Sequence, residues 1–350
     1  RLAGGEGQNN YSVAIGYQCG GSAQGTQAVA IGYEAGNTSQ GSSSVAIGYQ
    51  SGQSDQGSQS VAMGYQSGQS TQGSQSVAIG YVAGQLSQNA QSVAIGSNAG
   101  QSYQSTQSVA LGYNAGHDIQ GSQSVAIGHQ AGWRYQGAQS VGIGFWCGRV
   151  HQGTQSVAIG NQSGYWDQRP YSVAIGFQSG FSTQSSYSVA VGLQAGYESQ
   201  GSRSVAIGWR AGHWYQRGES VAVGGRAGES NQLIHSVAIG HEAGQYNQNN
   251  SSVALGNNAG QSSQSARSIA VGTKAGWKSQ GSNSIAIGYR CAESNQGSGA
   301  VALGYFAGRD NQHNNTIAIN AVNNHTLQTT AASAFFVKPL RSRTGTAMYY

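Results

Sequence analysis

Two prolines, three cysteines and a charged fraction of only 8% set this 350-residue chain apart from an ordinary globular domain. The cysteines, Cys19, Cys147 and Cys291, are too few for a disulfide framework, so they do not fix a redox compartment. No apolar run is long enough for a spanning helix, and no membrane insertion of this chain is expected. Positive charge is missing from a long first stretch. From Leu2 to Trp133 there is no Lys or Arg, only Glu6, Glu34, Asp55 and Asp118; beyond Trp133 lie fifteen basic and seven acidic residues. The cations are scattered singly, which argues against a nucleic-acid partner. A net charge of +5 placed this way fits weak attraction to anionic glycans or surfaces.

Catalytic constellations are also missing. The eight histidines are held apart by sequence spacing: His117 and His213 share a position six coils apart, and His129 and His241 share one seven coils apart. No carboxylate pair repeats, and there is no phosphate-binding glycine loop or calcium-binding nonapeptide. The expectation is a protein with no catalytic site, no metal and no cofactor.

What is present is a period. Val or Ile returns every sixteenth residue from Val13 to Ile317, twenty times without insertion or deletion. The unit reads V-A-I-G-x-x-A-G-x-x-x-Q-G-x-x-S, and its residues are numbered here as positions 1 to 16. Glutamine at position 12 is just as strict. Gln8, Gln24, Gln40, Gln56 and Gln72 begin a series of twenty-one that ends at Gln328. Strict spacing over such a length means stacked coils rather than disorder. A solvent-facing position would drift, so the glutamines are expected to be buried, each amide hydrogen-bonded to the next as in cross-β ladders at ~4.8 Å. The run S-V-A-I-G alternates faces in an extended chain, and nothing repeats with a helical period. Glycines at positions 4 and 8, such as Gly16 and Gly20, mark corners where φ is expected to be positive.

These observations predict an all-β fold, a parallel β-solenoid or β-roll of sixteen-residue coils. Twenty coils at ~4.8 Å would make a rod about 95 Å long. Both faces of the V-A-I strand are expected to be covered, one by the coil's interior and one by a close neighbour. Each coil is expected to bury its Val and Ile, which together give ~3–6 kcal/mol against a much larger chain entropy. A lone coil stack is then marginal, so self-association into a homotrimer or a filament is expected. The three cysteines share position 7, either as small buried side chains or as contacts across an oligomer axis.

Residues 1–320 are expected to form the repeat shaft, with 19 complete repeats and partial ends. Residues 321–350, where TTAASAFFVKPLRSRTGTAMYY replaces the repeat, are expected to be a cap or connector. The chain starts in mid-repeat, so more of it is expected upstream.

Position 5 carries Tyr17, Tyr33, Tyr49, Tyr65 and Tyr81, and later Tyr113, Phe145, Phe177, Trp209, Tyr289 and Tyr305. Stacked in phase, these either stabilise the ladder or offer a stripe for sugar rings. Positions 9 to 11 vary most and are expected to form an exposed loop. There Trp133, Arg134, Tyr135, Tyr165, Trp166, Trp214 and Tyr215, with Trp209 at position 5, form the candidate recognition surface, because exposed aromatics beside arginine are typical of binding surfaces.

At S-V-A-I-G-x-x-A the sequence resembles the head repeats of YadA-like trimeric autotransporter adhesins. That resemblance implies a left-handed parallel β-roll with three chains side by side; the adhesin unit is usually fourteen residues, against sixteen here. Sixteen-residue arrays followed by a segment like SAFFVKPLRSRTGTAMYY also resemble fibre proteins of large viruses and phages, in which such a segment often precedes a self-cleaving chaperone. Both imply a fibre or adhesin at the cell surface, on the virion or otherwise outside the cell, attaching to a host glycan or receptor. Two other readings are a self-assembling extracellular filament of the curli type and an ice-binding solenoid; sparse, out-of-phase Thr argues against the latter.

Overall fold

The computed structural model describes residues 3–5, 7–322 and 325–339. It is all β with no helix, and the repeat is a parallel β-solenoid with one coil per sixteen residues. The chain forms two compact units, residues 1–194 and 195–350, each of which is a stack of such coils.

In the first unit, positions 1–3 form a short strand in every coil, from Val13–Tyr17 through Val29–Tyr33 to Val189–Val191. Each strand pairs in parallel and in register with its copy one coil on, so Val13 faces Val29, Ala14 faces Ala30 and Ile15 faces Ile31. Positions 10–12 make a second strand, such as Ser22–Gln24 and Thr38–Gln40, paired the same way. The second unit repeats the first sheet from Val205–Ile207 to Ile317–Asn320. Phe335–Lys338 then adds a further rung, with Phe335 beside Ile317 and Val337 beside Ile319. That rung lies within the segment expected to be a cap or connector; residues 340–350 of that segment lie outside the described residues.

Glycine makes the corners possible. Gly96 at position 4 has φ +128°, and a Cβ there would lie 2.6 Å from the carbonyl oxygen of Gly112 in the next coil. No side chain fits so close an approach. Three further positions per coil take a left-handed φ with ordinary residues, as at Gln50, Asp55 and Gln59. These turns carry no composition signal strong enough to be read in advance.

The interior is the reverse of what apolar size suggests. Ala at position 2, Ala, Ser or Cys at position 7, Gln at position 12 and Ser at position 16 are fully buried, as in Ala46, Ser51, Gln56 and Ser60. Val and Ile at positions 1 and 3 point outward and are half-buried or exposed; Leu255 is 43% exposed and Leu111 41%. The expectation that each coil buries its Val and Ile is therefore corrected. The reason is the coil's width. The Gln56 side chain crosses the interior and donates from Nε2 to the carbonyl oxygen of Val45 on the opposite strand at 2.9 Å. Between two short strands joined by that strut there is room for Ala, Ser or Cys, and at the end of the array for Thr316, but Val and Ile are turned out.

The buried glutamines also form a column, as the sequence implied. Nε2 of Gln56 donates to Oε1 of Gln72, Gln72 to Gln88, and Gln88 to Gln104, at 3.1–3.2 Å. The second unit has a similar run from Gln200 to Gln280. The column is interrupted, leaving Oε1 of Gln120, Gln136, Gln168 and Gln296 buried without a partner. Gln8 departs from the expectation. It is exposed and donates to the Ser12 carbonyl oxygen at 3.2 Å, because no complete described coil covers its outer side.

Outer amide columns run along positions 6, 9 and 15. Gln66 donates to Gln50, Gln69 to Gln53 and Gln91 to Gln75. In these the later coil donates to the earlier, opposite to the buried column. In the buried column the two hydrogens of each amide nitrogen are divided, one to a backbone carbonyl and one to the next glutamine, as Gln56 Nε2 donates to Val45 and to Gln72.

Buried serines satisfy themselves locally. Ser44 Oγ donates to the Gly41 carbonyl at 2.6 Å, and Ser51 Oγ to that of Ala62 at 2.7 Å. Cys19, Cys147 and Cys291 are free thiols inside the coil. Burial pushes Cys147 and Cys291 up to about 12. Their place in the interior excludes the contact across an oligomer axis and supports the small-buried-side-chain reading.

Candidate recognition surface

Positions 10–12 are strand rather than loop throughout the first unit, and in the second unit either strand or, as at Trp214, Ser230 and Tyr246, an isolated parallel bridge, because the buried Gln at position 12 anchors them to the opposite sheet. The expected exposed loop at positions 9–11 is corrected accordingly: position 9 is half-buried or buried, position 10 mostly half-buried, and position 11 mostly exposed. Side chains at these positions therefore stand in columns one coil apart on a hydrogen-bonded backbone.

In the first unit this brings five of the expected residues into one patch. Trp133 lies between two guanidinium groups, Arg134 at 4.3 Å and Arg149 at 4.5 Å from its ring centre. Arg149 also faces Trp146 and Tyr165 and donates from Nη1 to the Tyr165 hydroxyl at 2.9 Å. Arg134 is tied to Asp118 at 3.2 Å. Tyr165 stacks on Phe181 at 5.1 Å and meets Trp166 edge-on at 5.0 Å. Tyr135 stacks on His151 at 5.0 Å, and His151 Nδ1 lies 3.1 Å from Asp167. Tyr135 and Trp166 keep nearly half their surface open to solvent. Sequence reading missed Arg149, Trp146 and His151, although the sixteen-residue spacing places Arg149 and His151 one coil from a residue it named, and Trp146 stands beside Phe145.

Trp209, Trp214 and Tyr215 fall in the second unit. Trp214 packs edge-on against His213 at 4.4 Å and against Tyr197 at 5.5 Å, so it is half-buried; Tyr215 is exposed beside it. Trp209 stands at position 5, next to the Val/Ile face, whereas Trp214 lies at position 10, where it makes isolated parallel bridges to Glu198 and Ser230. His213 is buried, with both ring nitrogens unpartnered, and its pKa is lowered to about 4 by burial and then by Arg210.

The same unit holds an ionic ladder that the sequence did not suggest. Glu229, almost fully buried, accepts from Arg226 at 2.9 Å and from Gln245 at 2.6 Å, with Arg210 at 3.4 Å. Arg226 bridges on to Glu242 at 2.8 Å. Further along, Glu293 lies between Arg290 and Arg309, each at 2.7 Å. Burial alone would raise the Glu293 pKa, but the two arginines hold its carboxyl below the usual range. These residues read as struts between coils, since each carboxylate is consumed by its neighbours.

At position 5 the tyrosines stack as expected. Tyr17, Tyr33, Tyr49 and Tyr65 follow one another at ring-centre distances of 5.0 Å, nearly parallel. Among the described residues no group of three or more His, Cys, Asp or Glu side chains could hold a metal ion.

Residues 23–51 and 56–83 match the YadA head domain repeat, in two copies. No curated protein matches the chain. The matched segments contain the V-A-I-G strands, the corner glycines and the buried glutamines described above. The matched segments and the coil geometry together define a structural repeat protein, a parallel β-solenoid whose repeat is similar to that of YadA heads.

Proposed function

We propose that the chain is the non-catalytic shaft of a surface attachment fibre, built by three copies packed side by side. The observation that carries this is the outward ladder of Val and Ile. Within each unit every coil presents two apolar side chains on one face of a parallel sheet, branched in all but Met63, over an interior of alanine, serine and glutamine. A long apolar column of that kind within each unit is rare on a soluble monomer and marks a protein contact. It also meets the stability argument, because the narrow interior buries few large apolar groups while position 1 and 3 side chains remain to be covered. The aromatic and arginine patch on the other strand stays free for a host glycan or receptor, at the cell surface, on a virion or elsewhere outside the cell.

The test is the mass of the native particle by light scattering. Three 36.0 kDa chains give about 108 kDa. A particle of that mass that dissociates when Ile95, Leu111 and Ile127 are replaced together by aspartate supports the reading. A stable 36.0 kDa monomer overturns it. Species of indefinite mass favour the filament instead, in which assembly itself is the function.

A further inference from the structure

Most coils differ little from one another, so a place where several uncommon residues meet needs its own explanation. One such place lies in the first unit, along the corner between positions 11 and 14. Here position 11 carries Tyr135, His151 and Asp167 in three successive coils, where most early coils have Ser or another small residue. Position 13 carries Arg169 instead of glycine, and position 14 carries Pro170, one of only two prolines in the chain. The two ridges enclose an open groove of about 340 Å³, with Gly153 between them. That volume lies at the lower end of the roughly 300–1,000 Å³ typical of small-molecule sites. Gly153 leaves the floor between the ridges bare; like the other glycines at position 13, it lies close against the next coil, where a Cβ would come within 2.4 Å of the Pro170 nitrogen.

The chemistry of the lining is specific. His151 and Asp167 hold each other at 3.1 Å, fixing one wall, and Tyr135 stacks on His151 to extend it. Arg169 is exposed, and among the described residues no carboxylate lies within ion-pair distance of it. Arg134, Arg203, Arg210, Arg226, Arg290 and Arg309 are each paired to an acid, whereas among the described residues Arg149, Arg217 and Arg267, like Arg169, are not; among these four, Arg169 lines the groove. A groove with one free guanidinium, a carboxylate and imidazole able to meet hydroxyls, and an aromatic edge matches a sugar ring that bears a carboxylate. Arginine would take the carboxylate through two parallel hydrogen bonds.

We propose that the groove lined by Tyr135, His151, Gly153, Asp167, Arg169 and Pro170 binds a carboxylated saccharide, with Arg169 as its anion-recognising residue. The proposal deepens the attachment reading and rests on it for its role.

The experiment titrates the assembled full chain with sialyllactose, and with lactose as its neutral counterpart, by ligand-observed NMR at physiological ionic strength. Sialyllactose is expected to bind and lactose to bind far more weakly. Arg169→Gln should weaken sialyllactose binding roughly ten-fold or more. Arg217 provides the control: it occupies position 13 of a later coil and is exposed, but its coil has Gly218 in place of proline, and position 11 of the coils around it carries neither His nor Asp. Arg217→Gln should leave binding unchanged. Equal binding of the two sugars, no loss in Arg169→Gln, or the same loss in both variants overturns the proposal, the last by reducing it to general attraction to positive charge. Native mass measured on the same samples separates the two readings. A trimer that binds no sugar sinks the groove alone, whereas a monomer sinks the attachment fibre.

Discussion

Gln104 joins three strands at once: its Nε2 donates to the Val93 carbonyl oxygen across the coil at 2.8 Å, and its Oε1 accepts from Gln88 of the coil before at 3.1 Å. Neither water nor a neighbouring side chain can replace it, since the residue is fully buried. Gln104→Leu should therefore leave a buried carbonyl and a buried amide nitrogen short of partners. The expected loss is on the order of 1–3 kcal/mol, read as a lower midpoint in urea or thermal unfolding. An unchanged midpoint would mean that the strut contributes nothing net.

Two glycines should respond in opposite directions. At Gly96 a Cβ meets the Gly112 carbonyl oxygen at 2.6 Å and φ is +128°, so Gly96→Ala forces the coils apart. At Gly142, the one glycine among the alanines of position 2, the nearest atom to a new Cβ is Gln152 Oε1 at 3.4 Å. Gly142→Ala restores the repeat and should stabilise by about 0.5–1 kcal/mol, through burial and a less flexible unfolded chain. Paired melting curves check both signs.

The thiols offer a probe of coil integrity. Cys147 and Cys291 sit in the interior, and burial pushes both up to about 12, so the native protein holds them as unreactive thiols at pH 8. Iodoacetamide should label neither in buffer and both in denaturant, as mass spectrometry would show. Rapid labelling of the native chain would mean that the coils open locally.

His213 sets a pH dependence whose sign follows from its surroundings. Its folded pKa, about 4, lies below the ordinary 6.5, so the unfolded chain binds the proton more readily. Stability from this residue is complete above about pH 6.5 and falls as pH drops toward 4, by a few kcal/mol at most. His213→Phe keeps the stack on Tyr197 and should flatten that part of the stability–pH curve. A curve of the same slope in the variant would assign the dependence elsewhere.

Much of this was legible in the sequence. Val13 to Ile317 gave the coil length, Gly16 and Gly20 the corners, and Gln24 to Gln72 the buried column, because each is fixed by a constraint that repeats in every coil. Which face of the strand turns inward was not legible. Val45 and Ala46 alternate identically whichever side is buried, and the deciding factor is the width left by a glutamine that crosses to Val45, a distance no single position records. The patch around Trp133 was named in part because its residue types are unusual. Arg149 escaped because a lone arginine carries no such signal until the column sets it against Trp133 and Tyr165. The ionic ladder at Glu229 was hidden for the same reason.

The direction of the buried amide column has a consequence for joining coils. From Gln56 to Gln104 every nitrogen faces the following coil and every oxygen the preceding one. The two ends of such a run are therefore unlike: one offers hydrogen to whatever abuts it, the other offers lone pairs. Two like ends brought together would set donor against donor or acceptor against acceptor. Any extension of the column, whether by another coil of the same chain or by a second molecule, must arrive in one orientation only, and so the stack carries an arrow.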